Sequence, residues 1–111
     1  MLKFELHFMY HSEFDEDLLE EQTVTVEANT INEAIDEMYY HSNDFVETVI
    51  DYFFGDEKLQ WYEYQEDPHR VRDNINVVLS FNGKHKCFKN AYTFESYLCK
   101  YFKDEMEALW D

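Results

Sequence analysis

The sequence predicts a single α+β domain in which helices cover one face of an antiparallel sheet. Three observations carry this. Several short segments alternate apolar and polar residues with a period of two. A long run recurs at helical spacing behind a capping box. An Asn-Gly pair between two strand-like segments marks a hairpin. At 111 residues the chain has the length of one domain.

The elements follow in the order β-β-α-β-β-β-α. Leu2, Phe4, Leu6, Phe8 and Tyr10 alternate with Lys3, Glu5, His7 and Met9, as in a half-buried strand. Residues 11–21 carry Glu13, Asp15, Glu16, Asp17, Glu20 and Glu21 and read as an acidic loop with room for one helical turn. Thr23 to Ala28 is a second strand with Val24, Val26 and Ala28 inward, expected to pair with the first as a hairpin. Thr30 and Glu33 then form the capping box. Behind it Ile31, Ala34, Ile35, Met38, Tyr39, Ser42, Phe45, Val46, Val49, Ile50 and Phe53 share one helical face, with Gly55 as the stop. Within this run, His41-Ser42-Asn43 is a place where the helix is open to a break or kink.

Lys58 to Gln65 is read as a third strand, ended by Glu66-Asp67-Pro68, with Arg70 to Asp73 as a loop. Ile75, Val77, Leu79 and Phe81 alternate in a fourth strand, and Lys84 to Lys89 return as a fifth. A two-residue turn at Asn82-Gly83 would put Lys84 and Lys86 on the core face. A three-residue loop, with His85 and Cys87 inward, buries no lysine and is the expected form. Thr93 is read as the cap of a last helix carrying Phe94, Tyr97, Leu98, Tyr101, Phe102, Met106 and Leu109.

The formal net charge is -16, at least twice the magnitude of about 2–8 at which a small domain is comfortable. Such a charge argues against direct binding to nucleic acid or to an anionic membrane face. At 19% aromatic residues the chain is too rich in core material for acidic disorder. It shows no apolar run of membrane-spanning length and no signal-peptide block at its start, so a cytoplasmic location is expected. Cys87 and Cys99 make no disulfide framework and are expected as small buried groups, with a single bridge left open.

The acids are not spread evenly. Residues 1–67 hold 19 Asp and Glu against Lys3 and Lys58, whereas residues 68–111 hold 6 acids and 7 bases. Adaptation to salt would acidify the whole chain. This split points instead to one strongly negative surface on an otherwise ordinary domain.

Catalytic motifs do not account for that surface. The chain has no nucleophile elbow, glycine-rich phosphate loop or paired-cysteine zinc signature. His7 and His11 read as strand-end residues rather than metal ligands, and Asp15-Glu16-Asp17 lacks the glycine and terminal glutamate of a calcium loop. Glu63 and Glu66 are an acidic pair of the kind chance supplies among 25 acids. No enzyme activity, cofactor or metal is expected.

The long helix is more informative. At about 100° per residue, Glu33, Asp36, Glu37, Asp44, Glu47 and Asp51 fall within about 60° of one line, opposite the apolar face. They span about 27 Å of axis, along which one DNA strand places about eight phosphates. An ordinary solvated helix interleaves Lys and Arg, because each i,i+4 pair contributes about 0.2–0.5 kcal/mol. Residues 31–54 have six acids and neither Lys nor Arg. Repulsion retained in place of such pairing suggests a use. Asp15, Glu16, Asp17, Glu20 and Glu21 would extend the field if they lie nearby. Tyr62 and Tyr64 are candidate interface anchors on the face opposite Trp61. An exposed tyrosine face would also permit a homodimer. Lys84, Lys86 and Lys89 read as a neutralising edge that discourages strand-to-strand association.

In size, charge and this acidic patterning, the chain resembles the DNA-mimic inhibitors made by phages and mobile elements, among them anti-restriction, anti-CRISPR and glycosylase-inhibitor proteins. The resemblance implies a partner with a basic nucleic-acid channel, such as a nuclease or a restriction or CRISPR effector, which the inhibitor fills. Two other readings stand beside it. One is an acidic adaptor or antitoxin-like partner of a basic protein, and the other is a small enzyme or metal-dependent binder.

Overall fold

The computed structural model describes residues 1–11, 19–51 and 68–100. Strands β1 (Leu2–His11), β2 (Leu19–Ala28), β3 (Ile75–Phe81) and β4 (Lys84–Phe88) form an antiparallel sheet in the order β2-β1-β3-β4. Helices α1 (Ile31–Ile50) and α2 (Ala91–Lys100) pack on one face of it, α1 over β1 and β2 and α2 over β3 and β4. A 3-10 helix, Pro68–Asn74, leads into β3 where a loop was expected.

Alternation sets the sheet's two faces. Phe4, Leu6, Phe8 and Tyr10 are buried on the helix side, with Val26 and Ala28 from β2 and Ile75, Val77 and Leu79 from β3. The register makes these residues direct neighbours, Phe4 opposite Val26 and Leu6 between Val24 and Leu79. From above, α1 contributes Ala34, Met38, Phe45, Val46 and Val49, and α2 contributes Phe94, Tyr97 and Leu98. Phe8 stacks on Phe45 at 5.3 Å and meets Phe94 edge-on at 6.2 Å, so one ring joins the sheet to both helices.

The expected hairpin of the first two strands is present, but β2 starts earlier than its sequence suggests. Leu19 to Gln22 continue the ladder against β1 up to the His11–Leu19 pair, where residues 19–21 read as loop. Ten consecutive pairings override the low strand propensity of the two glutamates. The third predicted strand, Lys58 to Gln65, and the stop at Gly55 lie outside the described residues. So do Phe53 and the last-helix positions Tyr101, Phe102, Met106 and Leu109.

Three other expectations are corrected. The β3–β4 turn has only two residues, Asn82 and Gly83, both at positive φ (56° and 79°), with Phe81 paired to Lys84. This turn matches the twist of its strands. It places Lys84, Lys86 and Phe88 on the helix side, and leaves His85 and Cys87 exposed on the other face. No lysine is buried as a result, because β4 is the last strand of the described sheet. The Lys86 stem is half-covered, and its ammonium lies over the Tyr97 ring at 5.9 Å. Second, α2 begins at Ala91. Asn90 is its cap, and the Asn90 Oδ1 accepts the Thr93 backbone N–H at 2.8 Å, so Thr93 lies inside the helix rather than capping it. Third, Cys87 and Cys99 are exposed free thiols, not buried groups.

Helix α1 runs without a break through His41-Ser42-Asn43. Ser42 is buried, and its hydroxyl donates to Glu95 of α2 at 3.1 Å. The same carboxylate oxygen accepts from Arg72 Nε at 3.1 Å, and Arg72 Nη2 donates to Asn43 Oδ1 at 2.7 Å. Polar residues that looked like a helix break are therefore the points at which α1 is tied to α2 and the 3-10 helix. Burial, and then the nearby Glu95 carboxylate, hold the Tyr39 phenol above its ordinary pKa in this seam. No helix among the described residues is long and apolar enough to cross a membrane.

Candidate functional site

The site is built on α1. Thr30 caps it from an extended conformation (φ -132°, ψ 161°), its hydroxyl accepting the Glu33 backbone N–H at 3.1 Å. The Glu33 carboxylate reaches back to accept the Asn29 backbone N–H at 3.1 Å. The capping box thus fixes where the helix starts, and with it the rotation of every later residue about the axis. Ile31, Ala34, Met38, Ser42, Phe45, Val46 and Val49 are all buried, so the opposite side must face water.

That side carries Glu33, Asp36, Glu37, Asp44, Glu47 and Asp51, and all six are exposed. An unbroken helix makes them one stripe about 27 Å long. Asp51 is the C-cap residue, and the last turn has no basic side chain. A negative side chain at the carbonyl end of the helix is unfavourable to the macrodipole, which adds to the repulsion among neighbours. Within the stripe Glu37 has a local partner, His41 Nε2 at 3.8 Å, which carries charge only when protonated.

The structure does not bring all the predicted acids together. Glu20 and Glu21 are successive residues of β2 and point to opposite faces of the sheet. Glu20 is half-buried and pairs across from Tyr10 on the helix side. Glu21 lies on the far face, where its carboxylate is 3.6 Å from His7 Nε2. Glu21 therefore does not extend the α1 stripe. Asp15, Glu16, Asp17, Tyr62 and Tyr64 lie outside the described residues.

One residue of this surface was missed. Tyr40 falls near 340° on the same helical wheel, in the gap between Glu37 and Asp44, and is 62% exposed. Its ring meets His41 edge-on at 5.3 Å. Its signal in the sequence is an aromatic residue in the same helical phase as the acids. The stripe therefore carries an amphipathic ring near its middle, of the residue type favoured as an anchor in protein interfaces.

Chemically, exposed carboxylates spaced along a rigid axis accept hydrogen bonds and attract cations, guanidinium and ammonium groups above all. Among the described residues, no three His, Cys, Asp or Glu side chains come together as a metal-binding group. Comparison of the chain with protein-family models, with curated proteins and with solved structures gives no match, so the functional reading rests on this geometry.

Proposed function

We propose that the protein is a DNA-mimic inhibitor that occupies the basic nucleic-acid channel of a host defence nuclease of the CRISPR or restriction type. The observation that carries this reading is α1 itself, an uninterrupted helix with six exposed carboxylates on one line and no Lys or Arg in it. A channel built for phosphates presents ammonium and guanidinium groups along a similar length. The stripe meets them without a phosphodiester bond to be cut. Its attraction is long-ranged, so association is fast and falls with ionic strength. Tyr40 supplies the desolvated contact that a purely charged strip lacks. Through this surface the inhibitor acts on its target by occupancy alone.

The test compares the full chain with an Asp44→Asn, Glu47→Gln, Asp51→Asn variant as bait in host lysate. Recovered proteins are then challenged with duplex DNA and with RNA. The expected outcome is a nucleic-acid-binding enzyme that binds wild type, is released by DNA and by raised salt, and binds the variant at least about tenfold more weakly. A basic partner indifferent to nucleic acid would replace this reading with that of an acidic adaptor. A partner held equally well by the variant would remove the stripe from the function.

A further inference from the structure

We propose that Ser80 and His85 form a nucleophile–base pair on the open face of the sheet that accepts the acyl group of small activated esters. This site lies on the side of the sheet away from α1 and is independent of the acidic stripe.

The register places four side chains in one row across that face. Thr25 of β2 pairs with Glu5 of β1, Glu5 with Ser80 of β3, and Ser80 with His85 of β4. Ser80 Oγ and His85 Nδ1 are 2.7 Å apart, within reach for transfer of the hydroxyl proton to the imidazole. The two-residue turn makes this contact. A three-residue loop would have sent His85 to the other face.

The row forms one wall of a pocket of about 280 Å³, lined also by Lys3, Phe81, Asn82 and Gly83. The pocket opens where the β1–β3 ladder ends at Glu5–Ser80, while β3 continues into the turn. Below the gap Phe4 and Phe81 stack at 4.6 Å and close it from the core. Lys3 and Asn82 also line it, residues whose ammonium and amide are of the kind that stabilises a developing oxyanion. The depression is shallow and open to solvent, with room to seat a short acyl group such as acetyl.

In the step, the Ser80 Oγ attacks the ester carbonyl and its proton passes to His85 Nδ1. The carbonyl electron pair moves to oxygen and returns as the ester C–O bond breaks; His85 gives its proton to a departing alcohol, or to water when the group departs as phenolate. Water then attacks acyl-Ser80 and gives a proton to His85, the acyl–Oγ bond breaks, and His85 returns that proton to the Ser80 Oγ as the carboxylic acid leaves. Nothing is oxidised or reduced. Glu5 sits beyond Ser80 rather than behind His85, so no carboxylate in the row orients the imidazole, and turnover is slow.

The probe is p-nitrophenyl acetate with the full chain, read by p-nitrophenolate release and by peptide mapping of the acetyl group. The expected result is acetyl on the Ser80 peptide and a release rate that falls about tenfold or more in Ser80→Ala and in His85→Ala. His7→Ala and His11→Ala leave the rate unchanged. These controls show that an exposed imidazole without a paired hydroxyl does not account for the release. Ser80→Cys, which keeps a nucleophile beside His85, is acetylated at position 80 faster than at Cys87 or Cys99 and loses that advantage when His85→Ala is added, which decides the matter if Ser80→Ala does not fold. Acetyl found only on Cys87, Cys99, lysines or other histidines, or a folded Ser80→Ala as fast as wild type, overturns the proposal and leaves the pair as a cross-strand tie that holds β4 in register.

Discussion

Asp51 shows how one residue can serve the surface at the expense of the fold. It is the C-cap of α1, its backbone N–H donating to the Glu47 and Thr48 carbonyls, and one turn earlier stands Glu47. The helix dipole and Glu47 both disfavour a carboxylate there. Asp51→Lys would replace a like-charge i,i+4 pair with a Glu–Lys pair in its better orientation and would complement the dipole. The expected outcome is a gain of about 0.5–1 kcal/mol in urea unfolding together with weaker binding to the basic partner. A destabilised variant would mean that Asp51 has a structural role beyond the cap. Glu33 differs from the other five acids, because its carboxylate already accepts the Asn29 N–H. Its replacement would cost helix stability as well as charge.

Between elements, the decisive contact is the polar seam of Ser42, Asn43, Arg72 and Glu95. Arg72 and Glu95 side chains are only 12% and 11% exposed, and their 3.1 Å contact joins the 3-10 helix to α2 while Ser42 and Asn43 join both to α1. Arg72 also lies over the Tyr92 ring at 5.9 Å. Removing one partner leaves the other charge nearly buried. Arg72→Met is therefore expected to destabilise the protein by about 3 kcal/mol, measured by chemical denaturation. The double change Arg72→Met, Glu95→Met should cost less than the single one, and a larger loss in the double would show that the seam is held by something other than this pair. If the seam loosens, the rotation of α1 loosens with it. The stripe depends on a contact made on the helix's opposite side.

At the scale of the molecule, half of the described acids stand on α1 and its C-cap, while the bases of the second half include Arg72 in the seam and the lysines of β4. Moderate salt screens the repulsion within a Debye length of about 8–10 Å. The melting temperature at neutral pH is expected to rise by a few degrees between about 0.02 and 0.3 M sodium chloride, followed by calorimetry. A fall over that range would show that attractive surface pairs outweigh the crowding. The neutralised Asp44→Asn, Glu47→Gln, Asp51→Asn variant should show a smaller rise, which assigns the effect to the stripe.

The amino-acid order by itself determined the features set by local periodicity. These are the inward faces of β1 and β2, the cap at Thr30, and the phase of α1 that puts its acids on one line. A period of 2 or 3.6 fixes orientation along one element without reference to any other. Tertiary structure alone decided where lysines stand at a sheet edge, which face Glu20 and Glu21 each take, and what Ser42 does in mid-helix. It also decided that Ser80 and His85 meet. Each of these depends on register or packing between separate elements, and the free energy that settles it belongs to the pair, not to either segment.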